Sequence, residues 1–229
     1  MTRVCVVDYG MGNVSSVISA FERIGVTCAP LDNPTGIGGS SHIVLPGVGA
    51  FGPAMKRLEE QGWVSEISRY VKGGGALLGI CLGMQVLAME SLEGVSLRPL
   101  SLELTEPSAS DVLAVPSFQS SIPGLGLIPG VVRSLKSFGS VGRLPHIGWN
   151  SVHVVGSPPL FAGLQGDLDM YFVHSFGLEV VSPLTIATTN YGCEFSAAVQ
   201  CDNVIGTQFH PEKSSQYGLR LLKNFVSMG

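Results

Sequence analysis

Cys81 stands in Gly79-Ile80-Cys81-Leu82-Gly83, between the uncharged apolar run 76–80 and a second apolar run long enough for a helix. An apolar run buried on both faces reads as a strand, so the cysteine falls at a strand-to-helix turn. This is the G-x-S-x-G arrangement with sulfur in place of oxygen: flanking glycines permit a sharp turn that holds a nucleophile above a sheet in a strained conformation. A helix N-terminus beside the thiol favours thiolate, the reactive form. Far along the chain, His210-Pro211-Glu212 follows the strand-like run 204–209. Residues two apart on a strand share a face, so imidazole and carboxylate can be aimed at one place. Neutral imidazole takes a thiol proton, and a carboxylate on its other nitrogen fixes the tautomer and stabilises the imidazolium. Cys81, His210 and Glu212 are thus a candidate nucleophile, base and orienting group. The plainer alternatives are a core cysteine and a solvated strand end.

The elements that must position these groups alternate along the chain. A strand over 3–8 leads through Tyr9-Gly10-Met11-Gly12-Asn13 into a helix with Val14, Val17, Ile18, Phe21 and Ile24 on one face, capped by Asn13 and closed by Gly25. A short strand over 27–31, a loop over 33–39 and a third strand over 42–45 follow. The third strand ends in Pro46-Gly47-Val48-Gly49-Ala50-Phe51-Gly52, whose backbone N–H groups can stabilise an anion. One helix over 53–72 and Gly73-Gly74-Gly75 return the chain to the strand before Cys81. Such alternation predicts an α/β fold with a doubly wound, mostly parallel sheet, helices on both faces and active residues at the C-terminal strand ends. Gly10-x-Gly12-x-x-Ser15 with Asp32 downstream imitates a dinucleotide fingerprint, but its third glycine is missing.

The stretch 95–121 is rich in Ser, Pro and Leu without a sustained period and reads as an irregular insertion. From Gly124 onward β-rich segments at 127–132, 146–155, 170–176 and 185–189, and a hairpin turning at Cys201-Asp202-Asn203, predict additional, partly antiparallel strands. Ser214 is placed to cap a final helix carrying Leu219, Leu222, Phe225 and Val226. The whole, 1–229, is expected to be a single domain.

Composition excludes several classes. Hydrophobic residues make up 45% of the 229 against 13% charged, which is incompatible with a disordered chain. A net charge of −4 without long runs gives neither a nucleic-acid stripe nor a polybasic membrane segment. The five cysteines, Cys5, Cys28, Cys81, Cys193 and Cys201, show no Cys-x-x-Cys spacing, so no metal site and no disulfide framework is expected. They fit a reducing cytoplasm, as does the absence of a leader-like or membrane-spanning stretch.

Taken together, Asp8-Tyr9-Gly10-Met11-Gly12-Asn13, Leu45-Pro46-Gly47-Val48-Gly49-Ala50-Phe51, the Cys81 motif through Gln85, 124–130, Pro145-His146-Ile147-Gly148-Trp149-Asn150, 171–175 and 206–214 span nearly the whole chain. In them the sequence resembles the class I glutamine amidotransferase family, and within it the glutaminase subunits of imidazole glycerol phosphate synthase. The resemblance implies that Cys81 attacks the glutamine side-chain amide, forms a glutamyl thioester and releases ammonia, with His210 moving protons and Glu212 orienting it. It implies an oxyanion site between the Leu82 N–H and the Val48-Gly49 peptide, with glutamine held by Gln85, Glu93 and the backbone of Ser175 and Phe176. It also implies a heterodimer with a (βα)8-barrel cyclase of histidine biosynthesis, faced by Asn13, Trp149 and Lys213, and neither metal nor organic cofactor. The stretch 95–121 is longer than the family pattern accounts for. Two rival readings are a glutaminase serving another synthase and a non-catalytic subunit that binds glutamine without turnover.

Overall fold

Short apolar runs dictate the centre of the molecule, seen in a computed structural model that describes residues 3–94, 121–181 and 183–228. Strands β1 (Val4–Val7), β2 (Cys28–Leu31), β3 (His42–Gly47) and β4 (Ala76–Cys81) lie parallel in the order β2-β1-β3-β4, and β1, β3 and β4 are buried throughout. Helices α1 (Val14–Arg23), α2 (Phe51–Glu60) and α3 (Trp63–Lys72) make the connections, and α4 (Leu82–Val86) leaves β4 directly. Next come β5 (Ala88–Ser91), β6 (Ile122–Pro123), β7 (Ile128–Ser134), β8 (His146–Val154), β9 (Leu168–His174), β10 (Phe176–Val180), β11 (Thr185–Asn190), β12 (Glu194–Cys201), β13 (Val204–Thr207) and α5 (Ser215–Val226).

β13 lies parallel on the free side of β4, with Thr207 opposite Ile80, while β3 flanks the other side with Gly47 opposite Cys81. The sheet then continues antiparallel through β12, β11, β8 and β9. A smaller sheet, ordered β10-β7-β5-β6, shares one of the two cores. Because side chains alternate along a strand, Leu78 and Ile80 enter the core formed with Phe21 of α1 and Leu222 and Phe225 of α5. Leu77 enters the opposite core with Phe51, Leu58, Trp63 and Ile67. Helices thus cover both faces of the doubly wound sheet, and Cys81 ends its central strand.

Several local expectations are corrected. The helix expected over 53–72 is two helices, because Gly62 at φ 79 breaks the run and Trp63 turns in to full burial. Residues Pro34–Gly39 form a 3₁₀ turn with Ile37 buried, not a loop; the Asn33 side chain accepts from the Thr35 N–H and starts it. The helix after Cys81 stops at Val86, since Ala88–Ser91 is claimed as a strand by β7 and β6. The strand expected over 170–176 divides at Ser175, β9 staying in the large sheet and β10 joining the small one. Ser214 makes no side-chain cap on α5; its hydroxyl donates to the His210 carbonyl at 2.6 Å and accepts from the Tyr171 N–H at 3.0 Å. The insertion expected at 95–121 lies outside the described residues apart from Ser121.

The start of α5 packs on the 3₁₀ turn Pro211–Lys213, with Gly218 at the contact. A Cβ there would overlap the Pro211 carbonyl oxygen. Helix propensity favours alanine over glycine by about 1 kcal/mol, whereas forcing atoms into a packed contact costs about 1–3 kcal/mol. Gly218→Ala is therefore expected to destabilise the chain, against the propensity trend, as read by urea unfolding; a stabilised variant would show that α5 does not rest on this turn.

Candidate active site

Cys81 adopts φ 56 and ψ −109, a left-handed conformation that a non-glycine residue holds only at a cost of about 1–3 kcal/mol. The turn is possible because its neighbours lack side chains. A Cβ on Gly83 would overlap the Leu45 carbonyl oxygen, and one on Gly79 would sit 2.7 Å from the Gly83 carbonyl oxygen. With α4 only five residues long, its dipole is a minor aid to the thiol, and close contacts among neighbouring groups matter more.

His210 and Glu212 do not reach the site by strand alternation, as the sequence suggests. β13 ends at Thr207, and Glu212 lies in the 3₁₀ turn Pro211–Lys213. That turn folds the carboxylate back so that His210 Nδ1 donates to Glu212 Oε1 at 2.8 Å, with both side chains at most 4% exposed. Burial alone would lower the imidazole pKa, but the close approach of Cys81 and the Glu212 carboxylate hydrogen-bonded at Nδ1 outweigh it and raise His210 to about 9. His210 Nε2 and Glu212 Oε2 are buried and make no hydrogen bond among the described residues. Catalytic contacts of this kind tighten when substrate is bound.

A cavity of about 180 Å³ brings together Val48, Gly49, Cys81, Leu82, Gln85, Glu93, Phe176 and His210. Val173 and His174, which the sequence does not single out, complete its wall. A broader groove of about 300 Å³ on α1, lined by Ser15, Ser16, Ser19, Ala20, Arg23 and Glu212, contains neither thiol nor imidazole, so the smaller cavity is the candidate site. The N–H of the Val48-Gly49 peptide is that of Gly49, which has φ 104; the N–H of the preceding peptide, that of Val48, donates to the Met11 carbonyl at 3.2 Å. Glu93 is fixed by accepting the Phe51 N–H at 2.8 Å, and Gln85 Nε2 donates to the Phe176 carbonyl at 2.8 Å. Ser175 is not in the cavity wall, and its carbonyl accepts from the Leu135 N–H.

Asn13, Trp149 and Lys213 are exposed and away from the cavity. Trp149 meets Tyr171 edge-on at 6.0 Å, Lys213 Nζ lies 5.8 Å from the Tyr171 ring centre, and the Tyr171 and His210 rings are 6.5 Å apart. Asn13 caps α1 by accepting the Ser16 N–H at 3.2 Å. Behind the cavity, His146 Nδ1 meets His174 Nε2 at 3.0 Å, and burial holds their pKa values near 4 and 3 respectively, so both rings are neutral at neutral pH. Among the described residues, no helix is long and apolar enough to cross a membrane, and no group of three or more His, Cys, Asp and Glu is placed to hold a metal ion.

The glutamine amidotransferase class-I family profile matches residues 5–228. Solved structures share the fold: one described as a glutamine amidotransferase has a TM-score of 0.68 at 21% identity, covering 98% of this chain and 97% of its own. PurLQS from Thermotoga maritima has a TM-score of 0.69 at 18% identity, covering 99% of this chain and 98% of its own. The chain belongs to the class I glutamine amidotransferases. Within them it falls with proteins named imidazole glycerol phosphate synthase subunit HisH. That from Methanosarcina barkeri is 42% identical over 231 residues, covering 100% of both chains. That from Syntrophotalea carbinolica is 40% identical over 230 residues, covering 98% of this chain and 100% of its own.

The unfolded imidazole titrates near 6.5 and the folded one near 9, so the protonated His210 adds stability that is fully present below pH 6.5 and lost as pH rises through about 9. Glu212→Gln removes one upward pull. The gap in unfolding free energy between parent and variant is expected to narrow from about pH 6 to about pH 10; a constant gap in urea titrations would show that Glu212 does not hold the His210 proton.

Proposed function

We propose that this chain is the glutaminase subunit of an imidazole glycerol phosphate synthase, releasing ammonia from glutamine for a (βα)8-barrel cyclase in histidine biosynthesis. The observation that carries this reading is the opening of Cys81, Leu82 and His210 onto one cavity, with Glu212 hydrogen-bonded behind His210.

With the His210 pKa raised to about 9 beside Cys81 and Glu212, the Cys81 proton rests on His210 Nε2 and the thiolate sulfur attacks the carboxamide carbon of glutamine. The carbonyl electrons move to oxygen, and the oxyanion is held by the Leu82 and Gly49 N–H groups. Collapse of the intermediate expels ammonia, which takes its proton from the imidazolium, and leaves a thioester. Water, deprotonated by His210, then releases glutamate and restores the thiol. Glu212 accepts from Nδ1 throughout, so the ring keeps the tautomer that presents Nε2 to sulfur. Gln85, Glu93 and Phe176 surround the glutamine. No step needs a metal or an organic cofactor. Asn13, Trp149 and Lys213 form the face toward the cyclase, the single domain 1–229 acts in the cytoplasm, and neither nucleic acid nor membrane takes part.

Cys81→Ala, assayed in the assembled synthase, is expected to abolish glutamine-dependent synthesis while leaving synthesis from added ammonium salt. Loss of both in a folded, assembled complex would count against a separate glutaminase role. His210→Asn is expected to lower kcat more than Glu212→Gln, because the first removes the proton carrier and the second only its orienting charge. The reverse order would exchange the roles assigned here.

A further inference from the structure

The carbonyl oxygen of Phe176 accepts hydrogen bonds from two side chains, Gln85 Nε2 at 2.8 Å and His174 Nδ1 at 2.8 Å. A carbonyl can only accept, so both partners must donate, and this fixes the direction of every bond beyond them. On one side, His174 carries its proton on Nδ1 and accepts at Nε2 from His146 Nδ1 at 3.0 Å. His146 Nε2 then accepts from Asn150 Nδ2 at 3.3 Å, and Asn150 also donates to the Asn190 carbonyl at 2.8 Å. On the other side, the second hydrogen of Gln85 Nε2 goes to Gln208 Oε1 at 3.1 Å. With its oxygen committed, Gln208 must turn its NH₂ the other way, where Nε2 lies 3.7 Å from the Cys81 sulfur.

The β4/β13 register explains why Gln208 is there. Thr207 pairs with Ile80, so Cys81 at the end of β4 and Gln208 just past β13 come side by side. Gln208 is fully buried, and Gln85 is 5% exposed. The thiol has a different partner, donating to the Val173 carbonyl at 3.8 Å. On ionisation that carbonyl can no longer be served, whereas an N–H held against the sulfur gains from the negative charge.

We propose that Gln208 is a catalytic residue whose amide N–H donates to the Cys81 thiolate, held in that orientation by Gln85, which the Phe176 carbonyl fixes as a donor. The role rests on Cys81 being the nucleophile. When the thiol proton moves to His210 Nε2, the sulfur charge is shared between the imidazolium on one side and the Gln208 amide on another. The titratable groups around the sulfur are His210, His174 and Glu93 in the cavity wall, Tyr9 beneath the turn and Glu212 behind His210.

The test follows the rate of Cys81 alkylation by iodoacetamide against pH, site-resolved by mass spectrometry, in the full chain and in Gln208→Met and Gln208→Glu variants with cooperative melting. Loss of a hydrogen bond to a charged group raises the Cys81 midpoint by about one unit, a tenfold loss of thiolate at fixed pH. The expected order of midpoints is wild type, then Met, then Glu, with kcat for glutamine falling in the same order in the assembled synthase and KM moving less. A Gln208→Met midpoint equal to that of wild type overturns the proposal. Should both variants fail to fold, the Gln208 side-chain amide resonance of the wild-type chain is followed by NMR through the Cys81 titration: a shift at the Cys81 midpoint supports the role, and a flat trace overturns it. The midpoint is a property of the sulfur whether or not it turns over glutamine, so failure of Cys81 as nucleophile would appear separately, as retained turnover in Cys81→Ala.

Discussion

The contact of Gly83 with the Leu45 carbonyl is the constraint on which the site depends. It lets α4 start hard against β3 and forces Cys81 to accept a positive φ. The strain is held because β4 is buried on both faces and paired on both edges, so no neighbouring residue can relax to relieve it. Cys81 packs on the core that holds Leu78 and Ile80. It stays at the cavity wall, 6% exposed, between the ends of β3 and β13.

Parallel pairing then decides what the cysteine meets. Neighbouring parallel strands deliver their C-terminal ends to one edge, so the glycine-rich exit of β3 and the Gln208-Phe209-His210 exit of β13 arrive beside Cys81 without a long loop. The charged pair His210–Glu212 is buried there, which is unfavourable for any ion without partners. The Nδ1–Glu212 hydrogen bond offsets part of that cost, while the backbone of His210 is held by the Tyr171 carbonyl at 2.9 Å and the Ser214 hydroxyl.

How much of this the sequence discloses depends on the range of the interaction. The elbow is legible because its cause is local: two glycines flank a cysteine between apolar runs. His210 and Glu212 are legible as residue types, but their geometry comes from a 3₁₀ turn seated under α5, not from strand pleating. The break at Gly62 is missed because Gln61-Gly62-Trp63 lies inside one continuous helical pattern, and only the burial of Trp63 shows why the chain turns there. Gln208 and His174 are not legible as site residues at all. They lie within motifs that resemble the family, but no local pattern marks their side chains, and their roles arise from the β4/β13 register and from a carbonyl on the separate strand β10.

The same bonds connect the cavity to the exposed face. Tyr171 touches Trp149 and Lys213 with its ring while its carbonyl holds the His210 N–H. Across the cavity, the Val48 N–H is tied to Met11, two residues before Asn13 in the same turn. Each wall of the cleft, His210 on one side and the glycine loop on the other, is thus one backbone hydrogen bond from the surface residues proposed to face the cyclase. A partner seated there acts on the site only so far as it favours one geometry of those two bonds over another. Because Gly49 can rotate at little steric cost while Cys81, fixed by Gly83, cannot, any such effect falls on the proposed oxyanion donor before it reaches the proposed nucleophile.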